Sequence, residues 1–304
     1  MSTTATTATR RFTPSPVLVM GIGVLAVSTA SVFIRFAQQA GAGSLPIAAL
    51  RLTIAALVLL PFAVTRCHEE YRALTRRELG LMGISGIFLG AHFATWIFSL
   101  EFTSVVSSVV LVTLSPLFVA LGSAVVLRER LTARVLLGMS VAIAGGIVIG
   151  LADAPNASSG SNPLLGNALA LAGAVCIAPY LIIGRILRQR LSLLGYVAMV
   201  YGAAALTLLL AVFMSGTPLS GFDPIAYAWI ALLALAPQLI GHTSFNWSVR
   251  RLPAVYATIP VLGEPIGSSV LAILLLGEVI RPLTVIGAVL TLSGIWLMST
   301  QRNA

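Results

Sequence analysis

The sequence predicts an all-α polytopic membrane protein: ten transmembrane helices arranged as two inverted five-helix repeats. The first observation behind this is composition. The 304 residues are 58% hydrophobic and only 9% charged, with a mean hydropathy of +1.01, where a soluble protein carries about a quarter charged residues. Apolar runs of roughly 20 residues recur along the chain, each long enough to cross a hydrocarbon layer ~30 Å thick at ~1.5 Å per residue. The second is an internal repeat. The stretch TSVVSSVVLVTLSPLFVALGSAVVLRERL, from Thr103 to Leu131, lies over LPAVYATIPVLGEPIGSSVLAILLLGEVI, from Leu252 to Ile280, at a constant shift of 149 residues. In that frame Pro116 falls on Pro265, Glu129 on Glu278, Gly138 on Gly287 and Gly145 on Gly294. The third is the placement of positive charge, which alternates from one inter-helix loop to the next.

In chain order, the leader MSTTATTATRRFTPSP (residues 1–16) lacks a small-residue cleavage site after a short apolar core. The first span is therefore expected to be retained. Spans are expected near 17–37, 46–65, 79–100, 104–127, 133–151, 164–186, 193–214, 225–248, 253–276 and 282–300. A polar Gly/Ser/Asn-rich linker at 152–163 divides the chain into a first repeat, 17–151, and a second, 164–300, followed by a short tail at 301–304. Fifteen of the eighteen basic residues fall in loops on one side, which places both termini in the cytoplasm of a cell whose plasma membrane holds the protein. Five spans per repeat is an odd number, so two copies in sequence must lie in opposite orientations, as in secondary transporters.

The net charge of +9 comes from arginines in these short loops, with no lysine in the chain. It is an orientation signal and not a nucleic-acid surface. Cys67 and Cys176 share neither spacing motif nor compartment, so no disulfide, metal site or cofactor is expected. The expected partners are the lipid bilayer and a small-molecule substrate. A monomer is sufficient, because two repeats complete one cavity, and a homodimer is equally compatible.

Polar residues within spans are costly and usually face a cavity or a partner. Glu264 stands about 16 Å into the ninth span, counting from Pro253 at ~1.5 Å per residue. It occupies the position that Ser115 holds in the first repeat. It is a candidate for contacting a substrate amine or binding a proton, or else a structural acid bonded to a neighbouring helix. His92, with Trp96 one turn on, could line the same cavity, or the histidine could be satisfied by a backbone carbonyl and the tryptophan sit in an interfacial belt. Gln238, His242 and Asn246 form a polar stripe at i, i+4, i+8 that either lines a pathway or joins helices. Arg51 either recognises a carboxylate, pairs with Glu264 or Glu101, or snorkels to the outer surface. Tyr180, Tyr201 and Ser115 are further candidates. Pro116, Pro179, Pro237, Pro260 and Pro265 are expected to break helices and free backbone carbonyls. Glu129 and Glu278 are expected to act as caps or gates, and the four repeated glycines to serve close packing.

HFATWIFSLEFTSVVSSVVLVTLSP and IGHTSFNWSVRRLPAVYATIPVLGEPIG, with the closing segments PLFVALGSAVVLRERL and EPIGSSVLAILLLGEVI, resemble the EamA family of the drug/metabolite transporter superfamily. The resemblance runs from Val17 to Ser299. It implies a ten-helix carrier of small metabolites in the inner membrane, often working outward, with amino acids and their derivatives as frequent substrates. An uptake permease for a vitamin-like or cationic metabolite remains an alternative.

Other classes fit less well. A membrane enzyme would need a local acid, His or Cys cluster such as H-E-x-x-H, and the nine acids and three histidines are scattered. A channel more often assembles identical subunits around one pore. A phosphate-ester antiporter would want a basic residue in the ninth span, which has none. No G-x-x-x-x-G-K-[ST] motif is present to couple ATP. A secondary carrier working by alternating access is the remaining expectation, with coupling to protons through Glu264 or a histidine as a further one.

Overall fold

A computed structural model describes residues 15–153, 160–249 and 259–299. Among these, nine helices are long and apolar enough to span a membrane: α1 (Leu18–Gln39), α2 (Ser44–Arg66), α3 (Arg76–Phe102), α4 (Val105–Val126), α5 (Ala133–Ala152), α6 (Pro163–Leu187), α7 (Leu193–Ser215), α8 (Pro224–Trp247) and α10 (Pro282–Ser299). A shorter apolar helix, α9 (Ile259–Leu276), completes the ten-helix fold. Side chains such as Val125 and Phe213, 80% and 84% exposed, form the lipid-facing surface. Residues 1–14 of the leader, 154–159 of the linker, the start of the ninth span and the tail lie outside the described residues.

Helix starts follow from side chains that accept otherwise unpaired N–H groups. Asn162 accepts from Leu165 N at 3.2 Å, Ser192 from Gly195 N at 3.0 Å and Asp223 from Ile225 N at 2.9 Å. Thr75 and Glu78 form a capping box, with Glu78 N donating to Thr75 Oγ1 and Thr75 N to Glu78 Oε2. That box starts α3 three residues before the expected position.

Among the described residues, three spans are irregular. α1 breaks at Thr29, whose hydroxyl donates to Ala26 O at 2.7 Å. The adjacent Ser28 carbonyl accepts from Ser268 Oγ at 3.1 Å. α4 breaks at Thr113–Leu114, where Pro116 supplies no N–H to the ladder. α8 widens into a π-helical segment over Ala234–His242 that contains Pro237. Pro179 and Pro265, by contrast, stand inside helices that continue through them. Pro260 lies in the first turn of α9. A proline thus breaks the helix in some of the expected places and is absorbed in others, because neighbouring helices can satisfy the freed carbonyl.

The two halves are related by a two-fold axis, visible in single contacts. α5 and α10 cross through their glycines. A Cβ added at Gly138 would lie 2.7 Å from Gly294 O, and one at Gly145 would lie 2.6 Å from Gly287 O. Shifted by 149 residues, the first contact becomes the second. Between them Thr291 Oγ1 reaches Ala142 O at 3.5 Å, a pair separated by that same 149 residues. A contact between equivalent residues is what a symmetry axis produces where it passes. The symmetry extends to helix ends. Glu129 N donates to Ser123 O and Glu278 N to Ala272 O, at 3.4 and 3.2 Å, which are equivalent C-terminal caps. The left-handed residue in each is Arg128 (φ 56°) and Gly277 (φ 66°). Arginine is strained there by roughly 1–2 kcal/mol. Arg128→Gly is therefore expected to raise the unfolding temperature, and an unchanged or lower value would show that the arginine earns its place by contacts.

Candidate functional site

The polar residues of the spans converge between the halves. Arg51, on α2, is 0% exposed and heads the fully buried side chains by volume, so it does not snorkel. Its guanidinium lies 3.9 Å over the ring of Phe93 on α3, a cation–π contact. Its Nε donates to Gln238 Oε1 on α8 at 3.0 Å. Both terminal nitrogens, Nη1 and Nη2, have no hydrogen-bond partner among the described residues. Glu101 does not pair with it: that carboxylate accepts from Ser44 N and Ser44 Oγ at the start of α2.

Other groups surround this centre. His242 meets the Phe93 ring edge-on, with centroids 5.3 Å apart. The Nδ1–H of His92 donates to Gly173 O on α6 at 2.9 Å, which fixes its tautomer. Its ring lies nearly parallel to that of Trp96, centroids 6.1 Å apart. Trp96 is 3% exposed, so it is not an interfacial residue, and its Nε1 has no hydrogen-bond partner among the described residues. Tyr201 on α7 lies beside Gln238, Thr243 and Asn246, and its hydroxyl meets hydrogen-bond geometry with none of them. Glu264 on α9 stands within electrostatic range of Arg51. It is only partly buried, and no ion pair joins the two within 4.0 Å.

A second polar layer lies beside the first. Asn246 Nδ2 donates to Tyr180 OH at 2.7 Å and to His242 O at 2.9 Å. Tyr196 OH donates to Tyr180 O at 3.3 Å and is hydrogen-bonded to Ser85 Oγ at 3.0 Å. Tyr180 and Asn246 are therefore tied to each other and to the helix backbone. Ser115 is buried at the break in α4 and takes no part in the Arg51 contacts among the described residues.

Towards one end of the bundle, Glu278 accepts from Val105 N with both oxygens, at 3.0 and 3.2 Å, and lies 3.9 Å from Arg35. Arg35 also donates to Thr103 O at 2.9 Å. Glu129, the repeat-equivalent of Glu278, pairs with Arg185 at 2.9 Å in a more exposed setting. Sequence reasoning missed Phe93 and Gly173, which carry Arg51 and His92. Their partners lie on other helices, and no spacing within the chain signals such a pairing.

Comparison with known proteins gives a consistent picture. The sequence profile of the EamA-like transporter family matches residues 14–151 and again 164–300. An uncharacterized transporter of Clostridium kluyveri is 27% identical over 79% of this chain and 78% of its own length. A probable terminal-alkyne amino-acid exporter of Streptantibioticus cattleyicolor is 28% identical over 82% of each. A protein of known crystal structure superposes over 93% of this chain and 95% of its own, with a TM-score of 0.62 at 20% identity. At that identity the likeness shows the fold.

Proposed function

The chain belongs to the EamA-like transporter family, a multi-pass membrane transporter and not an enzyme, and we propose that it exports amino acids or their amphipathic derivatives as a secondary carrier. The two inverted halves rock about the polar cluster around Arg51, exposing it to each side in turn. The observation that carries this reading is a buried polar cluster: a fully buried arginine, two histidines and a glutamine, contributed by both halves. Buried ionisable groups in a membrane mark substrate or ion pathways. The exporter name of the S. cattleyicolor relative supports the substrate class and direction. The protein resides in the plasma membrane with both termini cytoplasmic, an orientation supported by the arginine-rich loops. The repeats are taken as 17–151 and 164–300.

Glu264 supplies the coupling in this reading, alternately holding a proton and the substrate's amino group. Glu264→Gln is then expected to abolish transport against a gradient and its dependence on pH. Exchange of substrate for substrate should persist at reduced affinity. If concentrative transport by that variant matched the wild type, Glu264 would have no coupling role. Export itself is tested in cells loaded with dipeptides: expression of the protein should accelerate release of the constituent amino acids. Release no faster than in cells lacking the protein would rule out the export of those amino acids.

A further inference from the structure

The unpaired polar atoms around Arg51 share one chemical character. Among the described residues, Arg51 Nη1 and Nη2, Gln238 Nε2, Tyr201 OH and Trp96 Nε1 all lack a hydrogen-bond partner. The orientation of the Gln238 amide follows from its contact, since Arg51 Nε can donate only to the carbonyl end. Four of the five groups are donor-only, and the fifth, a phenol, can donate. Buried polar groups in folded proteins are ordinarily paired. A concentration of unpaired donors, with one positive charge among them, is built for an acceptor-rich anion. The guanidinium is also held for the purpose. Phe93 packs against its face and Gln238 engages Nε, which leaves the two terminal nitrogens as a parallel fork. That fork matches the two oxygens of a carboxylate.

We propose that the Arg51 fork is the carboxylate anchor of the transport site, so that the substrate must carry a carboxylate and amines without one are excluded. The proposal rests on the carrier reading above and narrows its substrate class. Glu264 completes the recognition. It forms no ion pair with Arg51 within 4.0 Å, so a zwitterion would place its carboxylate on Arg51 and its ammonium towards Glu264. The aromatic groups Phe93, Trp96 and His242 leave an apolar wall for the side chain. An isolated cation would meet Arg51 as a like charge, and a dianion would meet Glu264 as one.

The test uses the full-length protein in lipid nanodiscs and follows binding by thermal shift and calorimetry. The probes are the twenty standard L-amino acids, and then the decarboxylated partner of whichever binds most tightly, for example phenethylamine against L-phenylalanine. At least one amino acid should bind, and its decarboxylated partner should bind at least 100-fold more weakly. In Arg51→Gln this ratio should collapse towards one, and in Arg51→Lys it should be intermediate, because an ammonium retains the charge without the fork. An amine bound within threefold of its parent acid by the wild-type protein overturns the anchor and leaves the carrier reading intact. Binding of none of the twenty, together with no amino-acid exchange in proteoliposomes, overturns both. The wild-type ligand comparison decides the matter even where a variant does not fold.

Discussion

Replacing Gly145 with leucine is expected to lower stability on the order of 3 kcal/mol, the upper end for overpacking a close contact. A Cβ at this position would lie 2.6 Å from Gly287 O on α10, and the backbone and hydroxyl of Thr291 stand closer still. Backbone cannot yield as a flexible side chain can, so α5 and α10 must part along the whole crossing. In a membrane the association of helices depends on this close packing, since lipid tails are as apolar as the side chains they would replace. Gly294→Leu should do the same, because it sits at the symmetry-equivalent place. Gly83→Leu on α3 is the control, with nothing within 4 Å of an added Cβ. Unfolding in mixed detergent–SDS micelles measures the difference. Equal stability for Gly145→Leu and Gly83→Leu would show that the two halves do not meet through this crossing.

Arg51→Met is expected to separate stability from function. Removing a buried charge that has no ion pair among the described residues should offset the lost bond to Gln238 and keep the unfolding free energy unchanged or raise it, with an apolar side chain of similar length in its place. Transport should fall by two orders of magnitude or more, since two charge-assisted hydrogen bonds at roughly 1.5–3 kcal/mol each are lost. A structural arginine would behave in the opposite way: its loss would destabilise the protein and leave the affinity of the surviving molecules unchanged. Thermal unfolding and amino-acid exchange measured on one preparation distinguish the two.

The architecture was legible in the sequence because membranes impose it. Span length, loop charge and an ungapped repeat are one-dimensional signals, and each has a physical cause that acts along the chain. The glycines were legible for the same reason: their seven-residue spacing repeats in both halves, and they meet where α5 crosses α10. Helix ends were less so, as the capping box at Thr75 shows. Prolines misled in part, because Pro116 opens a new helical segment after a break while Pro179 and Pro265 stand inside unbroken ones; the outcome depends on what neighbouring helices offer the freed carbonyl. The centre could be named only residue by residue. Arg51 and Gln238 are 187 positions apart and Phe93 lies on a third helix, so depth in a span marked them as candidates and only the packing joined them. The distinction between a snorkelling and a buried Arg51 was likewise a matter of tertiary structure.

Counterflow in proteoliposomes tests the central claim most directly. Vesicles are loaded with an unlabelled amino acid, diluted into a trace of the same labelled compound, and followed for transient accumulation. A carrier whose site faces one side at a time predicts an overshoot of label above equilibrium, absent in Arg51→Met. Label that enters only to equilibrium, at a rate indifferent to the load inside, would contradict alternating access and describe a channel instead.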